Sequence, residues 1–302
     1  MSLFPFPFSP RKRYFVPLPG RAPLELGERT LVMAIINVTP DSFADGGVRF
    51  DPGRAVEDGL RMIEDGADIL DVGGESTRPG AEALSEEEEL RRVLPVVEGL
   101  GRHSRIPVSI DTYKAAVARC AISCGATIVN DVSGLQYDER LAEAVAETGA
   151  AVVLMHNRGR SREMYREASY GDVVGDIVAE LGSTVARAVA AGIRREAIVI
   201  DPGLGFAKRA EQTFEVLARL AELCSVDRPI LTGPSRKSYL KAALGATPVT
   251  ERDWGTAAAV STSILMGAHI VRVHAVREMV DVVRVADRIR AAARASARDI
   301  QS

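Results

Sequence analysis

Eight short apolar runs limit what this chain can fold into: "LVMAIIN" (31–37), "DILDVGG" (68–74), "IPVSID" (106–111), "ATIVND" (126–131), "AVVLMH" (151–156), "AIVIDPG" (197–203), "PILTGPS" (229–235) and "HIVRVH" (269–274). Each is rich in β-branched residues and apolar on both faces, as a strand covered on both sides of a parallel sheet must be. Helical periodicity fills the gaps. Asp51 and Pro52 cap and begin one segment, with Val56, Leu60 and Ile63 as its apolar face. Ser85 with Glu88 reads as a capping box for the next, which Pro95 should kink, and Val276, Met279, Val280, Val283 and Ala286 mark a long last helix. Helix after strand, eight times, predicts an α/β fold of the (β/α)8 TIM-barrel kind over residues 31–298. A doubly wound open sheet is the alternative, because periodicity does not show closure. Residues 1–30 form an N-terminal extension in which "PLELGERT" can make a hairpin or loop at the barrel bottom.

Nearly every run finishes in a polar or ionisable residue: Asn37, Asp71, Asp111, Asn130, His156, Asp201, Ser235 and His274. A barrel brings all its strand C-termini to one face, so positions 19 to 45 apart in sequence would meet around one pocket. A single such residue is more often a helix cap. Capping does not account for two histidines, nor for Arg272 two residues before His274 on the same strand face. Two chemistries separate. Asp111, Asn130 and Asp201 offer carboxylate acceptors and one amide, a set suited to a flat heterocycle whose guanidine-like edge presents parallel N–H donors. Arg272 stacking, the Phe206 ring and the Met155 thioether would cover its faces. The second group is cationic: Arg78, Lys237, Arg272 and His274, with the "GPS" turn leading into a helix, read as an anion site for phosphate. Asn37 and Asp45 could hold a hard, oxygen-liking cation such as Mg²⁺ against that anion. Arg236 reads as structural.

The 38 basic and 41 acidic residues leave a formal charge of −3, so no global field recruits nucleic acid or an anionic membrane. No run reaches the length of a membrane span, and "MSLFPFPFSPRKRYF" reverses the order of a signal peptide. Cys120, Cys124 and Cys224 match no disulfide or metal spacing and read as small buried residues in a reducing cytoplasm. The Phe- and Pro-rich beginning is expected to be a disordered tail.

"INVTPDSFADGG", "DILDVGGESTRPGA", "SIDTYK", "VNDVSG", "DPGLGFAK", "GPSRKSYL" and "VRVHAV" stand in the order of the signatures of the dihydropteroate synthases, and together they span residues 33–276. The chain resembles that family over essentially the whole barrel. The resemblance implies a TIM barrel that joins p-aminobenzoate to 6-hydroxymethyl-7,8-dihydropterin diphosphate, releasing diphosphate and 7,8-dihydropteroate in folate biosynthesis. By matching motifs it implies a pterin site of Asp111, Asn130, Asp201 and Lys237 with Arg272 stacked on the ring. Asn37, Arg78, Arg272 and His274 would hold the diphosphate, Mg²⁺ would bridge it to Asn37 and Asp45, and Phe43, Thr77, Pro79 and Ser238 would frame the p-aminobenzoate pocket. Asp111, Asp201, Lys237 and Arg78 are the residues expected to carry catalysis, and sulfonamide inhibition and a homodimer built on exterior helices are implied as well.

An arylamine is a weak nucleophile, so early loss of diphosphate to leave a pterin-stabilised cation is the easier route, and it requires no strong base. Neither Ser235 nor Ser238 sits in a triad setting. One departure from the family pattern follows His156, where "NRG" replaces Met-x-Gly. Related pterin barrels that transfer methyl groups to a corrinoid protein share the Asp-Asn-Asp floor, but "STRPG", "SRKS" and "RVH" serve no purpose there. A non-catalytic pterin-binding paralogue is the third reading.

Overall fold

Alternation along eight parallel strands decides which side chains of this protein face the barrel interior. The computed structural model describes residues 8–9, 11–39, 51–76, 83–159 and 168–299. An antiparallel hairpin, β1 (Tyr14–Leu18) and β2 (Arg21–Leu26), comes first. There follow β3 (Leu31–Asn37), α1 (Pro52–Glu64), β4 (Ile69–Gly73), α2 (Glu86–His103), β5 (Val108–Asp111), α3 (Ala115–Ser123), β6 (Ile128–Asp131), α4 (Leu141–Thr148) and β7 (Ala151–Met155). The chain continues through α5 (Val173–Ala190), β8 (Ile198–Asp201), α6 (Ala210–Ala218), β9 (Leu231–Thr232), α7 (Lys241–Leu244), α8 (Asp253–Leu265), β10 (Ile270–Val273) and α9 (Val276–Asp299).

The large sheet runs β8-β7-β6-β5-β4-β3-β10-β9. A parallel bridge between Ile200 and Ile230, with Ile200 N donating to Pro229 O at 2.9 Å, joins its two edges. The sheet is therefore a barrel, and the open-sheet alternative is excluded. β9 is shorter than the run 229–235 suggests, because Pro229 and Pro234 at its flanks have no N–H to give a ladder.

Residues pointing outward, among them Ile36, Leu70, Val72, Ile110, Val129, Leu154 and Ile200, pack beneath the helices. The inward set at the N-terminal end of the strands is equally apolar: Leu31, Met33, Ile69, Ile128, Ala151, Val153, Val199, Leu231 and Ile270. Val16, Leu18 and Leu26 of the hairpin cap that end from below. The barrel bottom is thus a dry plug, and polarity is left to the C-terminal layer.

Helix starts follow their sequence signals in most places. Asp51 accepts from Gly53 N at 2.9 Å and Pro52 opens α1. Ser85 accepts from Glu88 N at 3.2 Å, but the Glu88 carboxylate turns to Arg91 and Arg92, so only half of the expected capping box forms. The cysteines are free thiols. Contrary to expectation they are not core residues: Cys120 and Cys124 are half-buried and Cys224 is exposed. Among the described residues no helix is long and apolar enough to cross a membrane.

His269 joins the plug to the sheet. Its Nδ1 accepts from Ile230 N at 3.1 Å, its Nε2 donates to Lys12 O at 3.1 Å, and Tyr14 meets its ring edge-on at 5.4 Å. Burial and the nearby Arg11 push its pKa from 6.5 down to about 3. The unfolded chain therefore takes up the proton first; the contribution of the neutral ring is full above the unfolded value and is lost as pH falls toward 3. Between pH 7 and 5 the His269 share should reach about 2 kcal/mol. Urea unfolding at both values should show His269→Gln, although weaker at neutral pH, losing less stability on acidification than the parent.

Candidate active site

Strand alternation that buries Ile69, Ile128, Val199 and Ile270 at the bottom carries Asp71, Asn130, Asp201 and Arg272 into the interior one layer higher, where Asp111 joins them from β5. Arg272 is the hub. Its Nε donates to Asp71 Oδ2 at 2.6 Å and a terminal nitrogen donates to Asp111 Oδ2 at 2.7 Å. Asn130 Nδ2 donates to the same Asp71 oxygen at 3.0 Å. Expected as a stacking plane and as a diphosphate contact, the guanidinium is held by its edge, which leaves its faces as the part able to stack on a ring.

Asp71, one of the polar residues of the apolar runs, carries a part in the site that its sequence context does not assign. It lies in the middle of β4, wholly buried, and an ion in the centre of an apolar strand was the available signal. Burial raises the pKa of Asp111, while Arg272 opposes that rise. Burial likewise raises Asp201, opposed by Lys237 and then by the bond that its Oδ1 accepts from Gly203 N at 2.7 Å.

Lys237, on the turn before the short helix at 238–240, reaches over the barrel mouth. Its Nζ donates to Leu204 O at 2.9 Å and stands 4.0 Å from the centre of the Phe206 ring. Burial lowers its pKa to about 7 against the pull of Asp201, although the side chain keeps some contact with solvent. Met155 and Asn130 are buried beside this layer, whereas Asn37 and His274 are half-buried at the rim and Ser238 is exposed. Ser235 Oγ accepts from His274 N at 3.2 Å and lies 2.9 Å from His274 Nδ1. The hydroxyl therefore ties the His274 ring to the backbone turn at residues 233–235.

Phe43, Asp45, Thr77, Arg78 and Pro79 lie outside the described residues. Of the remaining expected set the structure gathers Asp111, Asn130, Asp201, Phe206, Lys237 and Arg272. His156 is a correction: one step past inward-facing Met155, it points behind the strands, where its Nε2 meets Glu180 at 3.0 Å. Arg236 is structural as expected, paired to Asp253 through two bonds of 2.8 and 2.7 Å. A groove of about 800 Å³ lies at the opposite end, beside the hairpin, but its Arg29 and Asp68 are spent on each other.

Three carboxylates, Asp71, Asp111 and Asp201, around the one guanidinium of Arg272 in a buried layer, beneath a rim lysine and histidine, define a (β/α)8 barrel suited to a cationic or proton-rich heterocycle carrying an anion. The family model described as pterin binding enzyme matches residues 33–274. A dihydropteroate synthase of Synechocystis sp. is 43% identical over 272 residues, covering 90% of this chain and 94% of the relative. The Yersinia pestis dihydropteroate synthase, solved with a sulfonamide drug complex, superposes with a TM-score of 0.86 at 40% identity, covering 92% of this chain and 99% of that one. The Xanthomonas albilineans enzyme in complex with 7,8-dihydropteroate does so with a TM-score of 0.81 at 39% identity, over 91% and 99%. The chain belongs to the pterin-binding enzyme family and, within it, to the dihydropteroate synthases.

Asp71→Ala would leave Arg272 with half its counter-charge in a desolvated layer, and denaturant unfolding should show a loss of roughly 3 kcal/mol. Asp68→Ala, whose partner Arg29 is exposed, should cost under about 1 kcal/mol for the ion pair itself.

Proposed function

We propose that this chain condenses 6-hydroxymethyl-7,8-dihydropterin diphosphate with p-aminobenzoate, giving 7,8-dihydropteroate and diphosphate. The observation that carries the reading is the buried polar layer of Asp71, Asp111, Asn130, Asp201 and Arg272 at the mouth of a barrel of this family. Its relatives bind a sulfonamide drug and 7,8-dihydropteroate. The pterin lies on this layer, its donor edge toward the carboxylates and its face against Arg272 and Phe206.

As the bond from the pterin methylene to the diphosphate oxygen breaks, positive charge spreads into the ring. Asp111 and Asp201, fixed by their surroundings before the reaction begins, favour that charge. The p-aminobenzoate nitrogen then forms the new C–N bond and releases its proton to solvent, so no side chain need act as a strong base. Lys237, Arg272, His274 and Arg78 hold the departing anion, and Phe43, Thr77, Pro79 and Ser238 frame the arylamine.

Among the described residues no group of three or more His, Cys, Asp or Glu side chains could hold a metal ion. Asn37 suits Mg²⁺ all the same, since that ion commonly takes one or two protein oxygens and fills its shell with substrate phosphate and water. Held by Asn37 and Asp45, Mg²⁺ would supply Lewis-acid charge to the leaving diphosphate. The chain works as a homodimer, for which Trp254 on α8 (87% exposed) and Val285 and Ile289 on α9 offer exterior apolar surface. It acts in the cytoplasm, where its three free thiols stay reduced.

Product formation from the two substrates should require Mg²⁺, and Lys237→Ala should lower kcat/KM by on the order of a hundredfold. Pterin binding without product would return the chain to the methyl-transfer or non-catalytic reading. Sulfonamides should compete with p-aminobenzoate in steady-state kinetics; insensitivity would mean an altered pocket at Phe43 and Pro79.

A further inference from the structure

Behind the pterin floor lies a buried charge that the reaction does not use. Lys208 is 1% exposed, yet its Nζ lies 2.9 Å from Phe206 O, 3.1 Å from Gly203 O and 2.9 Å from His156 Nδ1. The two carbonyls only accept, so two N–H bonds go to them and the third points at the imidazole. Across the ring, Nε2 faces the Glu180 carboxylate, which also takes two nitrogens of Arg158. Arg158 lies over the Tyr170 ring at 4.0 Å, and the Tyr170 hydroxyl donates to Ala207 O at 2.9 Å. Every link from Lys208 to Ala207 thus returns to one loop.

That loop needs holding. Gly203, Gly205 and Ala207 all adopt left-handed backbone, with φ of +67°, +76° and +47°. For Ala207 this is a strained conformation that persists only where its surroundings impose it. A Cβ at Gly203 would come within 2.1 Å of His156 O, so the loop lies directly against the end of β7. From the barrel side the loop carries the working parts of the site: the Phe206 ring and the Leu204 carbonyl that accepts from Lys237.

We propose that Lys208, bridged by His156 to Glu180, is a positioning residue for the pterin site: it sets the backbone of residues 203–207, and through it Phe206 and Lys237. The proposal rests on the reading of this site as pterin-binding. Burial lowers both groups, Lys208 to about 7 and His156 to about 4, so the lysine stays the stronger base of the pair, and Nδ1 facing the ammonium leaves the ring proton on Nε2 toward Glu180. Opposite charge reaches the sealed lysine first from Asp201 and then from Glu180, one imidazole away. Arg158 steadies Glu180 from the outer side.

The test compares Lys208→Met, which keeps the stem and removes the donors, with Glu180→Gln at the outer end. Calorimetry of pterin diphosphate binding reads the loop without turnover, so the outcome is separable from any failure of the condensation assay. Lys208→Met should weaken pterin binding by about tenfold or more, while KM for p-aminobenzoate at saturating pterin stays within about twofold. Nitrogen chemical shifts of His156 should change from a single Nε2–H tautomer to a mixture. A folded Lys208→Met protein with unchanged pterin affinity would overturn the proposal. Should that variant fail to fold, Glu180→Gln decides: about threefold weaker pterin binding supports the strut, and unchanged binding overturns it.

Discussion

Arg272 between Asp71 and Asp111 is the interaction on which the rest of the site depends. A guanidinium cannot shed its charge, so placing one inside a barrel obliges the surrounding strands to supply carboxylates within hydrogen-bond reach. Asp71 does so from β4 and Asp111 from β5, and Asn130 on β6 ties into the same Asp71 oxygen. Three consecutive strands and the distant β10 are thereby locked into one register at the level where substrate would lie. Such a network costs desolvation and gains order; what it supplies to chemistry is a field that is fixed before the substrate arrives.

The apolar plug beneath makes that field effective. Val16, Leu18 and Leu26 of the hairpin close the interior below the polar layer, so the charges face outward only through the barrel mouth. The N-terminal hairpin is therefore part of the electrostatics of the site although it lies at the opposite end. His269, neutral and buried between the hairpin and the sheet, is where that closure is most exposed to acid.

Asp201 has a lysine on either side, Lys237 toward the mouth and Lys208 behind the strands. The two do different work. Lys237 sits over Phe206 and remains in touch with solvent, as a group meeting an anion should, while Lys208 is sealed and spends its hydrogen bonds on two backbone carbonyls and the His156 ring. Their nearness in space and similar depressed basicity would make them hard to tell apart without the partners of each.

Much of this was legible beforehand because period-2 and period-3.6 patterns are local. The eight runs, the caps at Asp51 and Ser85, and the polar ends Asp111, Asn130 and Asp201 all follow from side chains a few residues apart, and the ordered motifs carried the family. The sequence by itself determined the eight barrel strands, most of the residues that reach the barrel mouth, and the chemistry they could offer. Only the tertiary structure decided who pairs with whom. That Asp71 belongs to Arg272, that His156 turns to Glu180 and Lys208, and that the barrel closes through Ile200 and Ile230 depend on contacts between residues 24 to 201 positions apart. Such pairings are set by barrel closure and by the need to neutralise buried charge. Neither leaves a local signature in the chain.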